Sequence, residues 1–307
     1  MCSSGDTLVH YFRRQRLEHM KAFLPSELVI NENGAIYHLG IRPEQLADKI
    51  ILVGDQDRVA LISNLFDKVR HKSRHREFVC HTGEYNGKEI SVISTGIGTD
   101  NIDIVLNELD ALVNIDFNTR KVNSELNNLE IVRIGTCGIL QDDVPLDSFI
   151  LSSHSMGIDN IGHFYLREQN DQTSALLSRI ENQIDFPNGV KPYLTPASEI
   201  LNDKLRSEII SEGITITSSG FYGPQGRQLR LGLTKPNMLD QLSSFVDKDF
   251  RFYNLEMETS ALFALSSALG HEATAVCLGI ANRPNKEFST NYNTKILELI
   301  RYVLERI

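Results

Sequence analysis

Three short loops carry residue types that could bind an oxyanion. They are rich in glycine or threonine, and each follows an apolar run that predicts a buried strand; they span residues 53–58, 94–99 and 134–138. Glycine lets backbone N–H groups approach a ligand closely, and a helix that follows adds the positive end of its dipole. In an open α/β sheet such loops converge on one crevice. Tight turns would explain glycine in any one loop, but three loops together favour an anion site.

Arginines near these loops support the same interpretation. Arg133 lies inside the apolar run Ile131–Ile134, where a charge is costly unless it is paired or serves a site. An internal salt bridge is the alternative explanation. Arg58 lies one turn into a predicted helix, where the helix dipole favours negative charge rather than a cation. Arg76, considered alone, is better explained as ordinary surface charge.

The composition limits the partners that we expect. The 307 residues include 31 basic and 40 acidic side chains, a formal net charge of −9. Nucleic acids and acidic membranes require a basic surface, so we expect neither as a partner. The four cysteines form no CxxC pair, which predicts a reducing compartment. The chain also has no apolar signal segment and no membrane-length apolar run. We therefore predict a cytoplasmic protein.

Strands and helices that could position the loops alternate along the chain. Apolar runs predict strands at 49–53, 89–94, 131–134, 148–151, 214–217 and 275–280. Apolar spacing predicts helices at 59–66, 102–113, 173–183, 198–212, 236–247, 257–269 and 296–307. This alternation predicts a single α/β domain with a largely parallel sheet over residues 37–307. Residues 1–36 are predicted to be a polar, partly helical N-terminal extension that ends in a turn.

Five motifs in this order resemble those of the nucleoside phosphorylase family, and most closely its uridine phosphorylase branch. They are Gly-Asp-Gln-Asp-Arg (54–58), His-Arg-Glu-Phe (75–78), Ser-Thr-Gly-Ile-Gly (94–98), Arg-Ile-Gly-Thr (133–136) and Glu-Met-Glu-Thr (256–259). The resemblance extends from about residue 37 to the C-terminus. It implies a three-layer α/β/α fold, of the phosphorylase/hydrolase type, around a central mixed and mostly parallel sheet.

The resemblance assigns the phosphate and ribose contacts. It implies that phosphate is held by Gly54, Arg58, Arg133 and Thr136, together with Arg76 from a neighbouring subunit. Guanidinium groups suit this role because they bind phosphate through two parallel hydrogen bonds. It also implies that ribose contacts His38, Glu256, Met257 and Glu258, with His38 reaching across a dimer interface.

A further segment of the resemblance indicates the base. Phe221, Gln225 and Arg227 match the residues that read uracil, and Gly138 is expected beside them. A glutamine amide can pair with a uracil carbonyl and its N3–H together. Purine-specific relatives carry a Ser-Asp pair after the last strand, and the matching segment 279–283 lacks that aspartate. Gln56 in place of proline, Cys137 in place of threonine and Gly226 in place of glutamate depart from the family pattern.

The expected reaction is the phosphorolysis of uridine to uracil and ribose 1-phosphate, with Arg133, Glu258 and Arg227 as catalytic residues. Inorganic phosphate is a co-substrate, and no cofactor or catalytic metal is expected. The resemblance also implies a hexamer built from dimers, with a structural monovalent cation as a further expectation near Glu77. A purine nucleoside phosphorylase, a nucleosidase on the same fold and a non-catalytic nucleoside-binding protein are the alternatives.

Overall fold

The computed structural model describes residues 21–307. Its helices are α1 Gln56–Ser63, α2 Thr99–Asn114, α3 Asp171–Glu181, α4 Glu199–Leu205, α5 Met238–Ser244, α6 Thr259–Leu269 and α7 Tyr292–Leu304. Its strands are β1 Lys49–Val53, β2 Lys68–His75, β3 Phe78–Tyr85, β4 Lys88–Ser94, β5 Ile115–Asp116, β6 Lys121–Val122, β7 Glu130–Ile139, β8 Phe149–Gly157, β9 Tyr193–Pro196, β10 Ile210–Thr217, β11 Val246–Asp247, β12 Phe250–Glu256, β13 Glu272–Asn282 and β14 Glu287–Phe288.

One mixed sheet, in the order β11-β12-β10-β8-β13-β7-β1-β4-β3-β2, forms the centre of the fold. Its longest pairings are parallel, including β7 with β13 and β8 with β10. An additional antiparallel pairing joins β12 to β7 at Leu255 and Gly138. Because β12 is also linked to β7 through β10, β8 and β13, these five strands form a closed ring.

Helices cover both faces of the sheet, so the fold has three layers, as the sequence predicts. Alternate residues of β1 point to opposite faces. Ile50 and Leu52 join a core with α2 and α6, whereas Ile51 and Val53 join a second core with α1, α4 and α7. The central strands are therefore buried on both sides, which explains why they appear in the sequence as continuous apolar runs. No helix in the described part of the chain is long and apolar enough to span a membrane.

Two kinds of error separate the predicted elements from the observed ones. The predicted helix 198–212 is too long, because α4 ends at Leu205 and β10 begins at Ile210. Eight strands were not predicted, and they are β2, β3, β5, β6, β9, β11, β12 and β14. The sequence of β2 is Lys-Val-Arg-His-Lys-Ser-Arg-His, and its side chains alternate between exposed and partly buried. Its apolar signal is therefore almost absent.

The segment that precedes β1 packs on the domain. Residues 1–20 of the predicted extension lie outside the described range, and the predicted turn forms at Asn31–Gly34. Leu28 and Ile36 are buried in the same core as α2. Arg120, at the end of the loop between β5 and β6, donates from its guanidinium to the backbone oxygens of Phe23, Leu24 and Leu28.

We expect Arg120→Ala to release this segment while the domain stays folded. The variant removes the guanidinium donor from three backbone carbonyls, of which only Leu24 keeps backbone donors among the described residues, at a local cost of about 1–3 kcal/mol. Limited chymotrypsin digestion with mass spectrometry should show faster cleavage after Phe23; the bond after Leu24 resists the protease because Pro25 follows it. Arg179→Ala removes a partly exposed ion pair with Asp247 elsewhere and serves as control. Equal cleavage of both variants would contradict the anchoring role.

Candidate active site

A cavity of about 560 Å³ opens where β1, β7 and β12 end beside the start of α6. All but two of the site residues predicted from the sequence line it. The residues that line it are Gly54, Asp55, Arg58, Ile97, Arg133, Thr136, Cys137, Gly138, Phe221, Gln225, Arg227, Leu255, Glu256, Met257, Glu258, Ile280, Ala281 and Phe288. His38 and Arg76 are the two exceptions.

Two arginines, Arg58 and Arg133, lie close together in the cavity lining. Arg58 extends from α1, and its Nη1 donates to the backbone oxygen of Ile134 at 3.3 Å. Burial and the charge of Arg133 both lower the pKa of Arg58. Within the described residues Arg58 forms no salt bridge with a carboxylate. A partly desolvated guanidinium next to a second one favours an anion between them.

Arg133 forms a buried ion pair that joins β7 to the start of α6. Its Nη2 donates to Oε2 of Glu258, and its Nη1 lies 3.4 Å from Oε2 of Glu256. Burial disfavours the guanidinium charge, but the two carboxylates more than offset that effect and raise the pKa of Arg133. The internal salt bridge considered from the sequence is therefore present, and it lies in the wall of the cavity.

The carboxyl group of Glu258 has a pKa above its ordinary value. Burial raises its pKa to about 7, and the nearby Glu256 charge acts in the same direction, whereas Arg133 lowers it. The second oxygen of Glu258 accepts from the backbone N–H of Gly98 at 2.7 Å. Gly98 has φ of 102°, which only glycine adopts without strain. The loop before α2 therefore helps to aim this carboxylate.

The part of the cavity around Gln225 carries an amide and a guanidinium. Arg227 donates from Nη1 to Oε1 of Gln225 at 2.5 Å and to the backbone oxygen of Phe221 at 2.8 Å. Its guanidinium carbon lies 3.8 Å from the centre of the Phe221 ring. Burial and the charge of Arg283 lower the pKa of Arg227 to about 10. This part of the cavity offers donors, an acceptor and an aromatic face to a planar polar ligand.

The sequence reasoning did not identify Arg283 as part of this environment. Its side chain lies near Gly138, since a Cβ built there would be 3.5 Å from Cγ of Arg283. Its Nη1 is buried and has no hydrogen-bond partner among the described residues. A cation next to Asn282 carries no signal of its own, because its relevance comes from Arg227, which is distant in the sequence. The sequence alone does not distinguish apolar residues that line the cavity, such as Ile280 and Phe288, from residues of the hydrophobic core.

His38 and Arg76 lie together on a different part of the surface. Nδ1 of His38 is 2.6 Å from Oε1 of Glu108, and its backbone oxygen is 3.0 Å from Nδ1 of His75. Arg76 is exposed and lies over the ring of Tyr37 at 5.7 Å. The two residues share one surface patch, but neither lines the cavity of its own chain.

The arrangement suits a ligand with three distinct parts. Two guanidiniums can hold a small oxyanion, the Glu258 carboxylate can accept hydrogen bonds from hydroxyl groups, and Gln225 with Arg227 can bind a planar heterocycle. Burial raises the pKa of the Cys137 thiol well above its usual range. This thiol is therefore neutral, and it is a poor nucleophile at neutral pH.

The chain matches a known protein family over most of its length. The family model described as the phosphorylase superfamily matches residues 48–305. A uridine phosphorylase of Thermococcus kodakarensis is 30% identical over 272 residues, covering 88% of this chain and 85% of that protein. A DeoD-type purine nucleoside phosphorylase of Oceanobacillus iheyensis is 28% identical, covering 78% of this chain and 84% of that protein.

One solved structure is similar to this chain in both fold and sequence. It is a nucleoside phosphorylase of Trypanosoma brucei described as showing uridine phosphorylase activity. Its TM-score to this chain is 0.84 at 31% identity, covering 91% of this chain and 98% of that one.

We expect Arg133→Met to destabilise the fold more at alkaline than at acid pH. The variant leaves two buried carboxylates without a counter-charge, which costs about 3–5 kcal/mol. The pKa of Glu258 lies above its unfolded value of 4.5, at about 7. Loss of Arg133 removes the charge that lowers this pKa, so protonated Glu258 favours the folded state at low pH, and stability is lost as pH rises from about 4.5 through about 7 and beyond.

Urea unfolding at about pH 5.5 and about pH 8 measures the difference. Adding Glu258→Gln to the Arg133→Met variant should recover much of the loss at the higher pH and flatten the pH dependence. An equal loss at both pH values would show that the charge of Glu258 does not carry the effect.

Proposed function

The chain belongs to the phosphorylase superfamily, and on that premise we propose that it catalyses the phosphorolysis of uridine to uracil and ribose 1-phosphate. One observation carries the proposal. A single cavity is lined by the Arg58–Arg133 pair, by the Gln225–Arg227 pair and by Glu258, which is paired with Arg133. The uridine phosphorylases among the similar proteins support the choice of substrate.

In the proposed reaction, an oxygen of phosphate held by Arg58 and Arg133 attacks C1′ of the ribose. The new C1′–O bond forms as the C1′–N1 bond breaks, and the electron pair of the breaking bond moves onto the uracil ring. The departing uracil then gains a proton at N1, which balances the proton that the hydrogen phosphate loses on forming the ester. The transition state resembles an oxocarbenium ion, which the adjacent dianion stabilises. Arg227 stabilises the negative charge that develops on the uracil carbonyl, and such contacts raise the rate because they strengthen in the transition state.

Ribose is oriented by Glu258, whose carboxylate accepts from sugar hydroxyls while Arg133 and Gly98 hold its position. Gly54 and Thr136 complete the phosphate contacts, Met257 packs on the sugar, and Gly138 leaves room for the base; all four line the cavity. The proposed reaction requires no cofactor, no catalytic metal and no covalent intermediate, because phosphate itself is the nucleophile.

The polar groups around Gln225 favour a pyrimidine. In the described part of the chain, the carboxylates that line the cavity are Asp55, Glu256 and Glu258, and none belongs to the base-reading segment. Asn282, in the segment where purine-specific relatives carry an aspartate, is buried and donates to the backbone oxygens of Gln141 and Val144. It therefore supports the fold rather than a purine ring.

We further propose that the working enzyme is an oligomer built from dimers and that it acts in the cytoplasm. His38 and Arg76 lie together on the surface, so one neighbouring subunit could deliver both to a cavity, His38 to the ribose and Arg76 to phosphate. Cys80, Cys137 and Cys277 are buried free thiols, in keeping with a reducing compartment.

We expect uracil release from uridine only when inorganic phosphate is present. The absorbance change on cleavage measures it, with inosine in parallel. Arg227→Ala should lower kcat by about a hundredfold, because it removes a donor to the developing charge. Arg230→Ala, an exposed arginine three residues away, is the matched control. Cleavage without phosphate would identify a hydrolase, turnover of inosine alone would overturn the base assignment, and no turnover would favour a binding protein.

A mixture of two inactive variants should regain activity if Arg76 serves a neighbour. Arg58→Ala damages the subunit's own phosphate site, and Arg76→Ala damages only what it donates. After mild dissociation and reassociation, hybrid dimers contain one intact site, so we expect about a quarter of wild-type activity. Mixtures that stay as inactive as their parts would contradict donation across an interface.

A further inference from the structure

The residue that orients ribose occupies the N-cap position of a helix without capping it. Glu258 precedes the first residue of α6, and its side chain accepts no hydrogen bond from the helix backbone. Its carboxylate is turned instead towards Arg133 and Gly98. The first N–H groups of a helix have no intrahelical acceptor and need one from elsewhere when they are buried.

Glu256 supplies that acceptor from two residues earlier. Its Oε2 accepts from the backbone N–H of Glu258 at 2.9 Å, and its two oxygens accept from the N–H of Thr259 at 3.0 and 3.1 Å. A carboxylate at this end of α6 also interacts favourably with the helix dipole. Glu256 is 4% exposed, so few of its lone pairs remain for a ligand.

Thr217 holds Glu256 in this position. It is the last residue of β10, lies opposite Glu256 in the parallel pairing with β12, and is fully buried. Its hydroxyl donates to Oε1 of Glu256 at 2.5 Å and accepts from the backbone N–H of Ser260 at 2.9 Å. One hydroxyl therefore connects the sheet, the capping carboxylate and the third N–H group of the helix start.

We propose that Thr217 and Glu256 are positioning residues of the reaction, and that they act on ribose through Glu258. The inference rests on the proposed function. The capping of α6 by Glu256 leaves the Glu258 side chain free to face the cavity, and Thr217 fixes the carboxylate that does the capping. Glu256, which the family resemblance assigns to ribose, then contributes by orienting the peptide that carries Glu258.

Thr217→Val tests this inference, because it keeps the side-chain shape and removes the hydroxyl. Thr217→Ser restores the hydroxyl. Thr215→Val is the matched control, since Thr215 is a buried threonine on the same strand whose hydroxyl donates to Asn254 rather than to Glu256. We expect Thr217→Val to lower kcat/KM for uridine about ten- to a hundredfold, as small misplacements of a binding group do. Thr217→Ser and Thr215→Val should stay close to wild type.

A double-mutant cycle with Glu258→Gln asks whether Thr217 acts through Glu258. In the Glu258→Gln background, Thr217→Val should cause little further loss, because coupled residues are not additive. Full additivity, or equal losses in Thr217→Val and Thr215→Val, would overturn the positioning role. Glu256→Gln provides a second route to the same test if Thr217→Val fails to fold, and it should lower kcat/KM in the same way.

Hydrogen exchange separates failure of this inference from failure of the proposed function. Peptides that cover residues 257–262 should exchange faster in Thr217→Val than in Thr215→Val or wild type, whatever the substrate. Unchanged exchange would refute the network even in an active enzyme. If the wild type does not turn over uridine but exchange is faster in Thr217→Val, the hydrogen-bond network is present and the proposed function is refuted. The role of Thr217 in the reaction is then refuted as well.

Discussion

The ion pair between Arg133 and Glu258 is the contact on which the site depends. It joins the middle of a central strand to the start of α6 in a place where water is excluded. Each charge needs a partner there, since a lone buried charge costs several kcal/mol, and Glu256 is the second partner of Arg133. The pair therefore fixes where the helix begins relative to the sheet. Three neighbouring features follow from this ion pair. Gly135 leaves room for the guanidinium, the N–H of Gly98 donates to the Glu258 carboxylate, and Glu256 caps α6 in place of Glu258.

Gly135 illustrates how strictly this contact shapes the strand. A Cβ built on that residue would be 2.0 Å from Nη1 of Arg133 and 2.8 Å from Sγ of Cys277. The guanidinium thus occupies the space that any side chain would need. In the sequence this glycine looks like part of a phosphate-binding loop, whereas in the structure it makes room for an arginine that has two carboxylate partners.

The sequence predicted those parts of the fold that are governed by burial on two faces. β1, β4 and α2 follow the expected boundaries because continuous or periodic apolar runs have few other solutions. It failed for β2, an edge strand whose side chains are largely charged, because hydrogen bonding to β3 rather than apolar burial defines it. The motifs identified most of the predicted site residues that line the cavity, although these residues come from segments that are far apart in the sequence. Thr217 and Arg283 could not be recognised, since their relevance lies in partners that only the folded chain brings close.

The closed ring formed by β7, β13, β8, β10 and β12 divides the site into parts that can change at different rates in evolution. Arg133 and Glu256 lie on strands of the ring, and the pairing of Leu255 with Gly138 ties their strands together. A substitution that moves one of these strands must be compensated by its neighbours. Phe221, Gln225 and Arg227 lie on a connection outside the ring that is attached to it at Gln225, whose amide donates to the backbone oxygen of Glu256, so it can be remodelled with fewer compensating changes. Relatives on this fold can thus exchange one base for another while the chemistry at the sugar stays the same.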